Sequence, residues 1–415
     1  MRKPLSDNLS ETLFTNHKQA RETSSLIPYM PSSEARLAQR QDHQAWYRQL
    51  RPTQWIWQGV DPIEYKAIMA SIAASNGSRT HDHWLDTVMG YRSGNWAFEW
   101  TRSAMQHQQK AHELTGDAAA EALFRASLHY SLAGYPHLKN DNLAIQSHAL
   151  ATASYLEAAK HSRYKIKAVE FQYKNKKIQG YLHLPHTDEP LPTVIVAPGL
   201  DSLQTDMWAL FRDHFAPQKI AMLTLDMPSI GHSKQWPLSE DSSCLHQAVL
   251  SQLPTLPWVD HYRIGLLGFR FGGNAMVRLA FIEQSKIKAC VALGAPIHQV
   301  FIDEEKIRTM DKMYLDILAS RVGRLPVDID SLTKRMRAWS LKVQGILSGR
   351  QCDVPILALS LPGDSISPAS DNQLVALYSR QGKTKKLTKK SITQGYDQAL
   401  KMSLQWLTEH LQEQS

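Results

Sequence analysis

The sequence predicts an α/β fold, a doubly wound and mostly parallel sheet, preceded by an N-terminal helical domain. Three observations predict it. Apolar runs of strand length recur from Thr193 to Leu361 with amphipathic segments between most of them. The hydrophobic period changes from helical to alternating near Tyr164. A strand runs straight into a helix through Gly268-Phe269-Arg270-Phe271-Gly272-Gly273.

The chain of 415 residues exceeds one typical core, which predicts two domains or one with an insertion. We place the helical domain at 1–164 and the sheet domain at 165–415. The first 30 or so residues are polar and expected to be frayed. From about Ser33 to Lys160 the periodicity predicts helices: around Trp46, Tyr47 and Leu50, around Tyr65 to Ile72, and over Trp96 to Leu114. Two more follow in DAAAEALFRASLHYSLAGY and NDNLAIQSHALATASYLEAAK, each with an Asp or Asn available as cap. Trp46, Trp55, Trp57, Trp84, Trp96 and Trp100 are read as core.

After Tyr164, KIKAVEFQYKNKKIQGYLHLP predicts two strands around a Lys-Asn-Lys-Lys turn. The buried strands are then TVIVAP, IAMLTLD, IGLLGF, IKACVALGAP and VPILALSL. A helix-forming, basic insertion at about 301–350 stands where it would cap a pocket at the strand ends; Met310, Met313 and Trp339 are assigned to its core.

Composition excludes several classes. With 43% hydrophobic residues and no long apolar run, the chain is expected to be soluble. MRKPLSDNLSETLF lacks an apolar signal region, and Cys244, Cys290 and Cys352 are too few and scattered for a disulfide framework or metal site, so a cytoplasmic location is expected. The net charge is +8. Its basic residues cluster at 160–177, 321–350 and 383–390 without interleaved aromatics, which argues for solvated surface over nucleic acid and leaves an acidic protein partner as the more interesting reading. No GxGxxG, P-loop or metal-ligand spacing is visible, so no cofactor is expected.

Functional groups of such a sheet sit at the carboxyl ends of the strands. There the sequence reads APGLDS, DMPSIGHS, GFRFGG and GDSISP, followed by the QGYDQ segment. This order matches the α/β-hydrolase fold. The whole chain resembles the fermentation/respiration switch protein family (FrsA), with these motifs carrying the resemblance. The resemblance implies carboxylesterase activity and, through one member of that family, binding to the glucose-specific enzyme IIA of the sugar phosphotransferase system.

A hydrolase triad needs a hydroxyl or thiol nucleophile, a histidine and a carboxylate. Asp364 matches the carboxylate. Arg270 stands at the nucleophile position and Tyr396 where the histidine is expected. What remains predicts an anion site. The amides of Phe271 and Leu200, the latter turned by Gly199, form an oxyanion hole, and Arg270 adds a bidentate fork. Asp201 is expected to partner Arg270, because an unpaired buried arginine is costly. Tyr396 serves better as acid than base. Ser202, Ser229, Ser365, Ser367, His232 and His298 lie near strand ends but are read as turn or capping residues, although His298 could swing over the pocket. Asp226 is read as fixing its own loop.

Three readings stand open. One is an esterase. The second is a cofactor-independent lyase (decarboxylase) acting on a small 2-oxo acid such as pyruvate. The third is a regulatory protein that binds enzyme IIA.

Overall fold

A computed structural model describes residues 46–323, 328–361, 363–385, 387 and 391–412. The expectations for residues before Trp46, and for Arg324, Lys386, Lys389 and Lys390 of the basic runs, lie outside the described residues.

Helices α1 (Pro52–Gln58), α2 (Pro62–Ala73), α3 (Trp96–Ala111), α4 (Gly116–Ala133) and α5 (Asn142–His161) precede the sheet. Proline at the first position and a capping Asp61 start α2, the carboxylate accepting from the amides of Ile63 and Glu64. Asp141 caps α5 in the same way, but Thr115, and not an acidic residue, stands at the N-cap of α4 and makes no side-chain bond. Residues Trp46 to Leu50 are not helical as their spacing suggested. Arg48 and Tyr47 are held there by the carboxylate of Asp86, which accepts from both of their amides. A tertiary contact thus overrides local period. Trp55, Trp96 and Trp100 are buried core as expected, whereas Trp46, Trp57 and Trp84 are half-buried.

Eight strands form one sheet in the order β1-β2-β4-β3-β5-β6-β7-β8. They are β1 (Lys165–Tyr173), β2 (Lys176–Leu184), β3 (Leu191–Ala197), β4 (Ala221–Leu225), β5 (Val259–Phe269), β6 (Ala289–Leu293), β7 (Ile356–Leu359) and β8 (Lys383–Thr384). The β1–β2 and β2–β4 pairings are antiparallel and the others parallel. The predicted hairpin turn narrows to Lys174 and Asn175, whose φ angles of 47° and 59° give the doubly left-handed turn that matches strand twist. Strands β3, β4 and β6 and the Ile264–Phe269 part of β5 are buried almost throughout, as continuous apolar runs between two helical layers should be.

Helix α6 (Cys244–Gln252), the elbow helix α7 (Phe271–Ile282), α10 (Ala369–Tyr378) and α11 (Ile392–Leu411) flank the sheet. The insertion after β6 folds as short turns at Gln299–Ile302 and Glu304–Arg308, then α8 (Lys312–Arg321) and α9 (Ile329–Met336). Met313 and Trp339 are core, as expected, but Met310 faces a cavity instead. The last strand lies within the basic run at Lys383–Thr384, and ITQGYDQ is the start of α11, capped by Ser391 accepting from the amide of Gln394.

Candidate functional site

The site is built on the β5–α7 turn. Arg270 adopts φ 51° and ψ −125°, a left-handed conformation that a non-glycine residue adopts only under constraint. The constraint is packing. Its amide donates to the carbonyl of Leu293 at 2.9 Å, and its carbonyl accepts from the amide of Gly273 at 2.9 Å. A Cβ on Gly268 would come within 2.4 Å of the Gly273 Cα, and one on Gly272 within 2.2 Å of the Ala197 carbonyl oxygen. Only glycine lets α7 start this close to β3 and β5. The elbow therefore survives in full, with arginine at its tip.

The Arg270 side chain lies across the turn at Gly294, where a Cβ would approach its Nη1 to 3.2 Å. Nη1 is paired with Asp364 Oδ2. The other oxygen of Asp364 accepts from the amides of Ile366 and Ser367 at 3.0 and 3.1 Å, so the carboxylate is fully engaged. Arg270 keeps a side chain 35% exposed toward the pocket, which leaves guanidinium donors available.

Asp201 is not the partner of Arg270. Its Oδ2 lies 2.6 Å from Arg51 Nη2, and this ion pair holds it. Arg51 stands immediately before α1 and also donates to the Tyr314 hydroxyl at 3.1 Å. Nothing local in the sequence marked it. It enters the site because Pro52 opens a helix beside the strand ends, 150 positions before Asp201 in the chain.

Two adjoining cavities meet at Arg51, Asp201 and Arg270. The first, about 70 Å³, is apolar and roofed by Val300, Phe301, Met310, Tyr314 and Met336 over Leu200 and Phe271. The second, about 60 Å³, holds Gly199, Ser202, Trp57, Asp364 and Tyr396. Trp57, assigned to core from sequence, lines this cavity and meets the Tyr396 ring edge-on at 5.9 Å. Tyr396 is carried by the first turns of α11 and not by a loop. Desolvation pushes its hydroxyl above the usual tyrosine range against the opposing pull of Arg270 and Arg51, so it stays protonated at neutral pH.

The structure thus brings together all seven singled-out positions, Gly199, Leu200, Asp201, Arg270, Phe271, Asp364 and Tyr396. Among the described residues lining the cavities there is no histidine, and Ser202 is the one serine. His298 is held away from them, with Nδ1 2.7 Å from Ser340 Oγ and its amide donating to Asp371. Asp226 does fix its own loop, accepting from the amides of Gln204 and His232.

A buried arginine of the insertion holds the APGLDS loop. Arg321 donates from Nε and Nη2 to the Leu200 carbonyl at 3.0 and 2.7 Å, and to the carbonyls of Pro136 and His137 at 2.9 and 2.7 Å. Burial pulls its pKa down to about 9, still protonated at neutral pH. One side chain so ties α8, the α4–α5 connection and the loop beside the elbow. Its place in the basic run disguised it as surface charge.

The family model described as "Esterase FrsA-like" matches residues 5–412. The chain belongs to the FrsA-like esterase family. It is 63% identical over 408 residues to Esterase FrsA of Vibrio cholerae serotype O1, covering 98% of each chain. Esterase FrsA of Vibrio parahaemolyticus is 60% identical, covering 99% of this chain and all of the relative. That of Serratia proteamaculans is 43% identical, covering 97% and 99%. Among solved structures, a 2,6-dihydroxy-pseudo-oxynicotine hydrolase superposes with a TM-score of 0.70 at 18% identity, covering 87% of this chain and 96% of that one. AbyA5 gives 0.60 at 19% identity, covering 78% and 86%. These two likenesses speak to the fold, which is that of the α/β hydrolases.

Proposed function

We propose that this FrsA-like chain hydrolyses small carboxylic esters by direct attack of water, with Arg270 holding the ester carbonyl at the elbow. The supporting observation is that Arg270 projects from an intact nucleophile elbow into the junction of an apolar and a polar cavity, with no histidine among the described residues that line them. An arginine cannot attack, but its remaining donors and the amides of Leu200 and Phe271 can receive the negative charge that builds on a carbonyl oxygen. The acyl group occupies the cavity under Phe301 and Met310, and the alcohol portion faces Trp57 and Tyr396.

Asp201 supplies the base. Both Asp364 oxygens are committed to Arg270 and to backbone amides, whereas Asp201 is engaged by one ion contact, to Arg51, and can take a proton from water. The water oxygen bonds to the carbonyl carbon as its proton passes to Asp201. The carbon–oxygen bond to the alcohol then breaks, Tyr396 donates a hydrogen bond to the departing oxygen, and Asp201 returns the proton to it.

Decarboxylation of a 2-oxo acid is the weaker reading. Its carboxylate needs an uncommitted cation, and both arginines of the pocket face carboxylates. The enzyme IIA reading comes from the family resemblance, and the basic runs are the surface that would suit such an acidic partner. In the first run Lys160 pairs with Glu157, Arg163 with Asp117 and Lys177 with Glu170, which leaves less free charge for an acidic partner to read.

The test is turnover of p-nitrophenyl acetate and butyrate with intact-mass measurement of the chain during steady state. The proposal expects turnover, no acyl adduct, and a loss of about 100-fold or more in kcat for Asp201→Asn. An acyl adduct, or undiminished turnover by D201N, would overturn it.

A further inference from the structure

Away from the pocket, three helices gather side chains that no sequence spacing connects. Glu64 lies on α2, His107 on α3 and His129 on α4. One ligand atom from each lies within 4.8 Å of the other two. Glu64 Oε2 is 3.0 Å from His107 Nε2 and 3.8 Å from His129 Nε2. The two imidazole rings meet edge-on with centroids 4.9 Å apart.

His129 supplies the independent pointer to a ligand. It is fully buried, and its Nε2 makes no hydrogen bond. Its Nδ1 is 3.0 Å from Ser103 Oγ. With Nδ1 engaged by the hydroxyl, the unpaired Nε2 faces the Glu64 carboxylate and His107. A buried polar atom left without a partner costs about 1–3 kcal/mol, so native structures normally supply one. A second ring nitrogen held by a hydroxyl or carboxylate is also how proteins orient a metal-bound histidine.

We infer that Glu64, His107 and His129 form a site for a divalent transition ion of the imidazole-preferring class, with Zn²⁺ its simplest occupant. Two histidines and one carboxylate are an established donor set for such ions, with bonds of about 2.0–2.2 Å. Tetrahedral ligands at that distance stand roughly 3.4 Å apart. The 3.0 and 3.8 Å separations bracket this value. Glu64, whose side chain is 38% exposed, is the ligand free to adjust. His107 also borders a surface cavity of about 510 Å³ lined by Lys110, Glu121 and Arg125, from which water can complete the coordination. The ion would staple α2, α3 and α4 together, a structural role separate from the pocket. The inference is therefore independent of the ester chemistry proposed above.

The test uses the full chain, stripped by a chelator and dialysed. Zn²⁺ is titrated calorimetrically, Co²⁺ is followed by its visible absorption, and the melting temperature is recorded with and without Zn²⁺. The inference expects one equivalent bound, a tetrahedral Co²⁺ spectrum, and a higher melting temperature with metal. Glu64→Gln and His107→Ala should each weaken Zn²⁺ at least about tenfold, while His83→Ala, an exposed histidine outside the cluster, should not. Glu64→Gln removes the half-exposed ligand and so tests the site without disturbing the buried histidine. Absence of Zn²⁺ binding would overturn the inference, as would binding left unchanged by both E64Q and H107A.

Discussion

The guanidinium of Arg270 is paired with the carboxylate of Asp364, so the residue in place of a nucleophile is joined to the residue that would orient a histidine. The pair spans the gap in which serine and histidine would otherwise meet. On the proposed function it also sets what the pocket binds, because a neutralised cation favours a polarised carbonyl over a carboxylate. Asp364→Asn keeps an oxygen for the amides of Ile366 and Ser367 while removing the charge. The variant should fold, and acetate or pyruvate should inhibit its esterase activity at least about tenfold more strongly than in the unaltered chain, since freeing one ion pair is worth more than about 1.4 kcal/mol. Equal inhibition constants would show that Asp364 does not restrain Arg270.

Arg51 and Asp201 form the second pair, with side chains 11% and 5% exposed. Removing one member of such a pair strands the other charge, at a cost of about 3–5 kcal/mol. Arg51→Met should therefore lower unfolding stability by about that amount. The double variant Arg51→Met with Asp201→Asn should be destabilised by less than the sum of the two single changes. Denaturant midpoints of the four proteins check this, and additive losses would contradict a direct coupling.

Two buried histidines predict acid sensitivity. His183, flanked by the Tyr155 hydroxyl and the Met222 carbonyl, and His246, whose ring nitrogens make no hydrogen bond, are both pulled by burial from 6.5 to about 4. A histidine that is neutral when folded binds its proton more readily when unfolded. Its contribution is complete above pH 6.5 and is lost as pH falls toward about 4. Each shift is worth up to about 3 kcal/mol. His246→Leu should flatten the stability curve across that window without loss at pH 7. A curve as steep as that of the unaltered chain would remove His246 from the account.

Much of this architecture was legible in the sequence because the chemistry that builds it is local. The buried strands announced themselves as apolar runs, and the elbow as glycines that no larger residue can replace. Gly199, Leu200, Asp201, Asp364 and Tyr396 could be named from their places after strands. Pairing was not legible. Asp201 was assigned to Arg270 because both follow neighbouring strands, yet Arg51 enters from a helix start that carries no motif. Arg321 was counted with a basic surface run, although its target is three backbone carbonyls, which leave no mark in a sequence. A hydrolase histidine sits in a loop, whereas here Ser391 caps a helix five residues before Tyr396. Glu64, His107 and His129 are joined solely by the packing of three helices.

The most direct test of the central claim is kcat/KM for p-nitrophenyl butyrate in Arg270→Ala beside the unaltered chain, with melting temperatures measured in parallel. If Arg270 holds the carbonyl, kcat/KM should fall about 100-fold or more, the scale of losing one oxyanion donor, while the protein remains folded. A folded R270A protein with undiminished kcat/KM would contradict the account and place the ester chemistry elsewhere in the molecule.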